Sequence, residues 1–285
     1  MTKIICVPGD KLSLQQILFY FKDAIIVNSS DIVVINESSI ISNNKEIRFD
    51  LLLIGNVINI PIPTVNNIIM IENHLVKFII SHYNEDLSYI IEDAIINDYV
   101  VYTKCGNIAN SSIPAIGLDV RELNNVGRES HTYLTYIIDE HDNLPEVAVF
   151  LQGSITDHNV CTDIKKYVLD GLLYGQLFPH IGTLRKWGRI HHKERWLNQL
   201  NNGEMERAEM TMGEFWSFLF KQERPKYLPI TFEGCFSIRR TKIDSNIMFY
   251  ERIIKLISNH PNPEYGHYFE RFWWAIFNPL YDKLY

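Results

Sequence analysis

The chain has 285 residues, of which 46% are hydrophobic and 12% are aromatic. This composition supports a substantial core in one large domain or two smaller ones, and it excludes an intrinsically disordered protein. The formal net charge of −7 argues against a general nucleic-acid-binding protein, because such proteins need a basic face. The four cysteines are scattered without metal-type pairing, so we expect free thiols in a reducing compartment.

The first residues contain too short an apolar run to predict a secretory signal peptide. A membrane span needs about 18 uncharged apolar residues, and no stretch of the sequence reaches that length. Residues 49–63 come closest, but Asp50, Asn56 and Asn59 interrupt them. We therefore expect a cytoplasmic protein without a membrane span.

Residues 1–73 form a first region of short β-branched runs that alternate with polar turns. These runs predict strands, and residues 12–21 are compatible with one helix. The runs occupy residues 4–7, 24–27, 32–35 and 51–54, and two of the turns occupy residues 28–31 and 42–45. We find no chemical motif here, so the prediction is a small N-terminal α/β or β-rich module of unknown role.

A different pattern begins near residue 75 and extends to residue 285. Residues 76–80 predict a buried strand, residues 87–95 have helical spacing, and residues 98–103 predict a second strand. The order strand, helix, strand is typical of a βαβ unit with parallel strands. Residues 147–151 are an almost continuous apolar run, as expected of a strand that is buried on both faces.

The remaining elements of this second region complete an α/β domain over residues 74–285. They are helices at 128–141, 162–176, 212–220, 249–257 and 268–277, and a short strand at 236–240. The predicted fold is a mixed, mainly parallel sheet flanked by helices. Ligands of such sheets bind beyond the carboxyl ends of the strands, so the polar residues that follow each predicted strand are candidates for a binding site.

The first candidate group is His82, Asn84, Glu85 and Asp86, which follows the predicted strand at 76–80. The amide groups of a helix start could hold a nucleotide phosphate there, and the side chains could contact a base or a ribose. A simple helix cap is the alternative.

The second candidate group is Gly127, Arg128 and Glu129, at the start of a predicted helix. The planar guanidinium group suits a diphosphate, and the carboxylate suits sugar hydroxyls. An ordinary helix start, at which Glu129 favours the helix dipole, is the alternative.

The third candidate group is Gln152, Gly153 and Ser154, followed by Asp157 and His158. Carboxylate and imidazole groups suit ions such as Mn²⁺, so Asp157 and His158 could bind a metal. Two ligands make an incomplete site, and a turn with satisfied side chains is the alternative.

Basic side chains form a fourth candidate group that could neutralise a leaving diphosphate. A solvated surface is the alternative for them. They are Arg185, Lys186, Arg189, His191, His192, Lys193 and Arg195, and further along the chain Arg239 and Arg240.

The fifth candidate is Glu270, which stands among the aromatic residues of the segment 266–274. Burial among aromatic rings would raise the pKa of this carboxyl group and suit it to act as a general base, while the rings could stack on a sugar. The alternative is a core helix in which Glu270 pairs with Arg271 or another cation.

Several long segments, in order, resemble a domain-of-unknown-function family of eukaryotes and large DNA viruses that is regarded as glycosyltransferase-like. The later segments also resemble the acceptor-side end of core-2/xylosyl-type glycosyltransferases. The resemblance covers residues 76–278 and rests on the segments 83–86, 101–106, 125–134, 143–153, 236–243, 249–252 and 266–273.

The resemblance implies a GT-A-like, Rossmann-like fold that binds a nucleotide sugar, a UDP-sugar above all, and a glycan acceptor. Many such enzymes carry Asp-x-Asp where this chain has Gln152, Gly153 and Ser154, so a requirement for Mn²⁺ or Mg²⁺ stays open. Basic side chains would take over the diphosphate in the absence of a metal. In this interpretation Glu270 is the general base, with Glu233 and Asp157 as alternates.

Three functions stay open at this point. The first is a glycosyltransferase acting on a hydroxyl of a glycan or glycoprotein. The second is a carbohydrate-binding protein on a degenerate transferase fold, which the missing Asp-x-Asp suggests. The third is a glycoside hydrolase, in which Glu233 and Glu270 would face each other across the bond. The oligomeric state does not follow from the sequence.

Overall fold

The structure is a computed structural model. It describes the backbone of residues 2–5, 24–26, 32–42, 45–55 and 67–71 in the first region. In the second region it describes residues 76–88, 98–105, 119–155, 164–179, 181–190, 194–232, 234–243 and 245–278.

The first region contains a five-stranded sheet with the strand order β1-β5-β4-β3-β2. The strands β3 and β4 pair in antiparallel fashion, and their last pair is Ser42 and Lys45, the two residues that bound the polar turn predicted at 42–45. The helix predicted at 12–21 lies outside the described residues. The strands are β1 (Thr2–Ile5), β2 (Ala24–Ile26), β3 (Ile32–Ser42), β4 (Lys45–Gly55) and β5 (Asn67–Ile71).

The second region contains a six-stranded, mainly parallel sheet, which confirms the predicted fold class. Its order is β10-β13-β9-β6-β7-β8; β6 to β9 run parallel, while β13 is antiparallel to β9 and β10 is antiparallel to β13. The strands are β6 (Val76–His82), β7 (Tyr99–Thr103), β8 (Asp119–Glu122), β9 (Val147–Gln152), β10 (Gln176–Leu177) and β13 (Phe236–Arg239). A separate antiparallel pair is formed by β11 (Ile181–Leu184) and β12 (Leu228–Thr231).

Helices accompany this sheet, and several begin or end where the sequence predicts. The helix α4 matches its predicted bounds because Thr211 and Glu214 form a capping box at its start. Of the helix predicted at 87–95, only Leu87 and Ser88 lie within the described residues. The helices are α1 (Arg128–Asp139), α2 (Ile164–Tyr174), α3 (Glu194–Asn201), α4 (Met212–Phe220), α5 (Ile247–Ile254) and α6 (Glu264–Phe277).

The connection of the parallel strands creates a crevice next to β6. From β6 the chain adds β7 and β8 on one side, and it then returns to add β9 on the other side. Where the connections from two neighbouring parallel strands lead to opposite sides of the sheet, a crevice stays open beyond the carboxyl ends of those strands. The carboxyl ends of β6 and β9 therefore bound the natural ligand position of this sheet.

An aromatic core fixes α1 and α6 against the sheet. The ring of Phe150 in β9 lies 4.9 Å from Tyr133 of α1 and 4.9 Å from Phe236 of β13. Phe236 in turn lies 5.4 Å from Trp273 of α6. All four side chains are fully buried, so this contact removes a large apolar area from water and sets the position of both helices.

A fully buried carboxylate, Glu264, joins the start of α6 to two loops. It accepts hydrogen bonds from the backbone N–H of Ala208 at 3.0 Å and from the hydroxyl of Tyr268 at 3.0 Å. The guanidinium group of Arg189 lies 3.4 Å from the same carboxylate. A buried carboxylate with this many partners has a structural role, and the positive charge of Arg189 is already paired with it.

None of the helices within the described residues is long and apolar enough to cross a membrane.

We expect the substitution Phe236→Ala to lower the free energy of unfolding by about 3–5 kcal/mol, because it leaves a cavity between β9, β13 and α6. Urea unfolding followed by fluorescence measures this loss. Tyr227→Ala is the matched control, since that ring is 54% exposed and its removal should change the midpoint little. Equal effects of the two substitutions would contradict the role of the aromatic core.

Candidate functional site

A polar cleft of about 320 Å³ lies beyond the carboxyl ends of β6, β7 and β9, where α1 begins. Its position is the one expected for a ligand site in a sheet of this topology. The cleft brings together residues from five separate segments of the chain. They are Ser81, His82, Tyr83, Glu85, Lys104, Asn125, Arg128, Glu129, Gln152, Ser154 and Pro261.

Lys104, which directly follows β7, is the buried cation of the cleft. Its ammonium group donates a hydrogen bond to the carbonyl oxygen of Val126 at 2.7 Å and another to that of Arg128. Burial lowers the pKa of Lys104 to about 8, although the carboxylate of Glu129 acts in the opposite direction. The side chain thereby ties the end of β7 to the turn that precedes α1.

That turn has an unusual backbone. Gly127 and Arg128 both have positive φ values, of 63° and 53°. The first carbon of any side chain at Gly127 would come within 2.6 Å of His131 Cβ and of the carbonyl oxygen of Ile257. Only glycine fits this position, and the turn directs Arg128 and Glu129 to the cleft.

Arg128 is held from several directions. Its Nη1 atom lies 3.3 Å from the Asn262 Oδ1 atom and 3.3 Å from the His267 Nε2 atom, and its Nε atom lies 3.4 Å from the Glu129 Oε2 atom. The negative charge of Glu129 raises the pKa of Arg128, so the guanidinium group stays charged. With about a third of its side chain exposed, it presents a positioned positive charge to the cleft.

Glu129 is the buried carboxylate of the cleft, with only 8% of its side chain exposed. Its Oε1 atom is buried and accepts no hydrogen bond from the described residues. A side chain on Gly234 would come within 2.7 Å of Glu129 Cγ and of Gln152 Nε2, so the absent side chain leaves room for Glu129. A buried acceptor without a donor is costly, and it therefore marks a functional candidate.

Glu85 has a different environment, because it closes the turn after β6. Its Oε2 atom accepts hydrogen bonds from the backbone N–H of Tyr83 at 2.7 Å and of Asn84 at 3.1 Å. Gly153 packs so closely that a side chain there would meet Glu85 Oε2 at 2.5 Å. Two backbone N–H groups of the turn that precedes the predicted helix are thus occupied by a carboxylate of the chain itself.

The other residues after β6 have mainly local partners. Asp86 accepts hydrogen bonds from the backbone N–H of Ser88 at 2.9 Å and from its hydroxyl, so the capping interpretation describes it. His82 is buried between the Thr103 hydroxyl and a backbone carbonyl, and burial lowers its pKa. His82 lines the cleft, whereas Asn84 and Asp86 are exposed and do not.

The basic residues of the fourth candidate group do not line the cleft as far as the structure describes them, and His191, His192 and Lys193 lie outside the described residues. Arg185 and Lys186 are exposed after β11, and Arg189 is bound to Glu264. Arg239 and Arg240 lie at the other edge of the sheet. Because β13 is antiparallel to β9, its carboxyl end adjoins the start of β9, and both guanidinium groups reach Glu146, at 3.3 and 3.7 Å.

Glu270 does not line the cleft either. Its Oε2 atom lies 3.6 Å from His267 Nδ1 and 3.8 Å from Arg271 Nη1. Burial raises the pKa of Glu270, but the interaction with His267 and the charges of Arg271 and Arg128 outweigh burial and hold the pKa at about 2. The predicted raised pKa is therefore wrong, and the alternative of pairing with Arg271 is what the structure shows.

Five lining residues were not predicted from the sequence, namely Ser81, Tyr83, Lys104, Asn125 and Pro261. One signal was available for Lys104, since it directly follows a predicted parallel strand. The predicted Asp157, His158 and Glu233 lie outside the described residues. Within the described ranges, no three His, Cys, Asp or Glu side chains are grouped so that they could hold a metal ion.

Comparison with known proteins places the chain in a family but assigns no activity. Residues 78–282 match the family model described as "Protein of unknown function (DUF3431)", and the chain belongs to that family. No curated protein and no solved structure matches the chain. The family membership therefore agrees with the extent of the resemblance drawn from the sequence, while the glycosyltransferase character of the chain is a proposal.

The low pKa of Glu270 predicts a pH-dependent stability. Its pKa is lower in the folded protein than the ordinary value of 4.5, so its stabilisation is present above that value and is lost as the pH falls towards 2. The full contribution is about 3 kcal/mol at most. We expect Glu270→Gln to lower the free energy of unfolding at pH 7 by this contribution. In this variant the free energy of unfolding should also decrease less steeply as the pH falls below 4.5.

Urea unfolding at a series of pH values measures the effect. Glu122→Gln is the matched control, because Glu122 is exposed at the end of β8. Identical pH profiles for Glu270→Gln and the unmodified protein would contradict the assigned ion pairs.

Proposed function

We propose that the protein is a glycosyltransferase, which moves a sugar from a nucleoside-diphosphate sugar to a hydroxyl of a glycan or glycoprotein. One observation carries the proposal. A polar cleft lies at the point where the strand order reverses, and it combines two cations, Lys104 and Arg128, with the carboxylate of Glu129. Sheets of this kind bind nucleotides and related ligands at this point.

The chemistry of transfer makes defined demands on the cleft. The acceptor oxygen bonds to the anomeric carbon, the bond from that carbon to the diphosphate oxygen breaks, and the acceptor proton passes to a base. The leaving diphosphate carries the developing negative charge, which a positioned cation stabilises. In the proposal this cation is Arg128, because Asn262 and His267 hold its guanidinium group in place before any ligand binds.

The base of the proposal is Glu233 or Asp157, since Glu270 is unsuited to that role. A carboxylate with a pKa of about 2 is a weak proton acceptor at neutral pH, and Glu270 does not line the cleft. For the same reason the proposal of a glycoside hydrolase that uses Glu233 and Glu270 finds no support. If Asp157 and His158 bind Mn²⁺ or Mg²⁺, we expect binding of the nucleotide sugar to depend on that metal.

A second candidate function is a carbohydrate-binding protein without turnover. One observation favours it, namely that the carboxylate of Glu85 accepts hydrogen bonds from the backbone N–H groups of Tyr83 and Asn84, so that these donors are not available to a phosphate. The two cations of the cleft are also matched by two carboxylates, Glu85 and Glu129. Such a balanced cleft suits a neutral sugar better than an isolated diphosphate.

The test is a thermal-shift screen against UDP, GDP, CMP and their sugar conjugates, each with and without Mn²⁺. A ligand that binds only the folded protein raises the melting temperature by mass action. We expect a shift with one nucleotide sugar, and UDP-sugars are the first to test. Arg128→Gln should lower the affinity for this ligand at least about tenfold, because a hydrogen bond to a charged group contributes roughly 1.5–3 kcal/mol.

Arg240→Gln is the matched control, since Arg240 lies at the opposite edge of the sheet and should leave the shift unchanged. Release of nucleoside diphosphate in the presence of a glycan acceptor then separates the two candidates. Binding with release supports the transferase, and sugar binding without release supports the carbohydrate-binding protein. The absence of a shift with every nucleotide and conjugate would overturn the transferase proposal.

A further inference from the structure

The Oε1 atom of Glu129 is a buried acceptor that the described residues leave without a donor. The neighbouring cations do not supply one. Arg128 approaches the other oxygen, Oε2, at 3.4 Å, and the ammonium group of Lys104 donates to two backbone carbonyls. A carboxylate oxygen that is removed from water without a hydrogen bond is strongly unfavourable, so a donor other than the described residues, such as a hydroxyl group of a bound ligand, would stabilise it.

The position of Glu129 is confined, so this acceptor is already oriented before a ligand binds. Gly234 lies against its Cγ atom and against Gln152 Nε2, and there is no space for even one more carbon between them. Glu129 also belongs to the first turn of α1, whose start is tied down through Lys104. An acceptor fixed in this way loses little freedom when it binds a donor.

The charges around Glu129 indicate which kind of donor fits. Lys104 and Arg128 both interact with Glu129 through their positive charges. A ligand ammonium group would be repelled by these two cations, whereas a neutral hydroxyl group would not. A hydroxyl group can donate to the carboxylate and can also accept from donors nearby, such as the amide of Gln152, which lines the same cleft.

We infer that Glu129 recognises the ligand by accepting a hydrogen bond from one of its neutral hydroxyl groups, so that the cleft selects a polyhydroxylated ring. This inference rests on the proposed function only in taking the ligand to be a carbohydrate. It makes Glu129 the residue that determines specificity, a role that neither the family membership nor the transfer chemistry assigns to it.

The test is saturation-transfer NMR on the full chain with free D-glucose, D-galactose, D-mannose and D-xylose at millimolar concentrations. We expect at least one monosaccharide to receive saturation from the unmodified protein. Glu129→Gln should lower the affinity for that monosaccharide about tenfold, because a charge-assisted hydrogen bond is replaced by a neutral one. Glu146→Gln removes the same charge at the opposite edge of the sheet and should leave binding unchanged.

Gly234→Ala is a second variant that keeps every charge. Its added carbon must displace Glu129 or Gln152, so binding of the monosaccharide should fall in this variant as well. Circular dichroism and the unfolding midpoint establish that each variant is folded. Binding that persists unchanged in either folded variant, or the absence of binding by all four monosaccharides to the unmodified protein, overturns the inference.

The outcome is separable from that of the transferase test. Monosaccharide binding that depends on Glu129, without a thermal shift by any nucleotide sugar, supports this inference and contradicts the transferase. Binding of a nucleotide sugar with equal affinity by the unmodified protein and by Glu129→Gln contradicts this inference alone.

Discussion

The cleft depends on one buried interaction, the hydrogen bonds from the Lys104 ammonium group to the carbonyl oxygens of Val126 and Arg128. They connect the end of β7 to a turn that lies far along the chain, and they hold that turn at the carboxyl edge of the sheet. A buried ammonium group needs such acceptors and a nearby negative charge to remain favourable, and Glu129 supplies the charge. The same lysine therefore shapes the cleft and orients its buried carboxylate.

The turn held by Lys104 is strained, and its neighbours compensate for the strain. A positive φ at a residue other than glycine, as at Arg128, costs on the order of 1 kcal/mol or more. The backbone N–H of Gly127 donates a hydrogen bond to the carbonyl oxygen of His260 at 2.8 Å, and that of Arg128 donates one to the carbonyl oxygen of Pro261 at 3.2 Å. Strain that persists beside a cleft indicates that the orientation of these side chains matters for what the cleft binds.

Charged groups extend from the cleft into α6. Arg128 contacts His267, and His267 contacts Glu270, which also lies beside Arg271. Glu270 is thus a supporting anion of this network, which explains why its pKa is low although it is largely buried among aromatic residues. In both proposed functions Glu270 would hold Arg128 and His267 in place, and the ligand would contact Glu129 and Arg128.

The sequence by itself determined the fold class, the buried strand β9, the helix α4 and the polar groups after β6 and β9, because periodicity and capping are properties of contiguous residues. His82, Glu85, Arg128, Glu129, Gln152 and Ser154 could be named as cleft candidates in this way. The tertiary structure alone decided the rest. The antiparallel direction of β13 moves Arg239 and Arg240 to the far edge, and the polar edge strand β8 has no apolar pattern to detect. The low pKa of Glu270 depends on His267 and Arg271 of its own helix and also on the charge of Arg128, which belongs to α1. Strand direction and ion pairing join residues that are distant in the chain, so no local pattern encodes them.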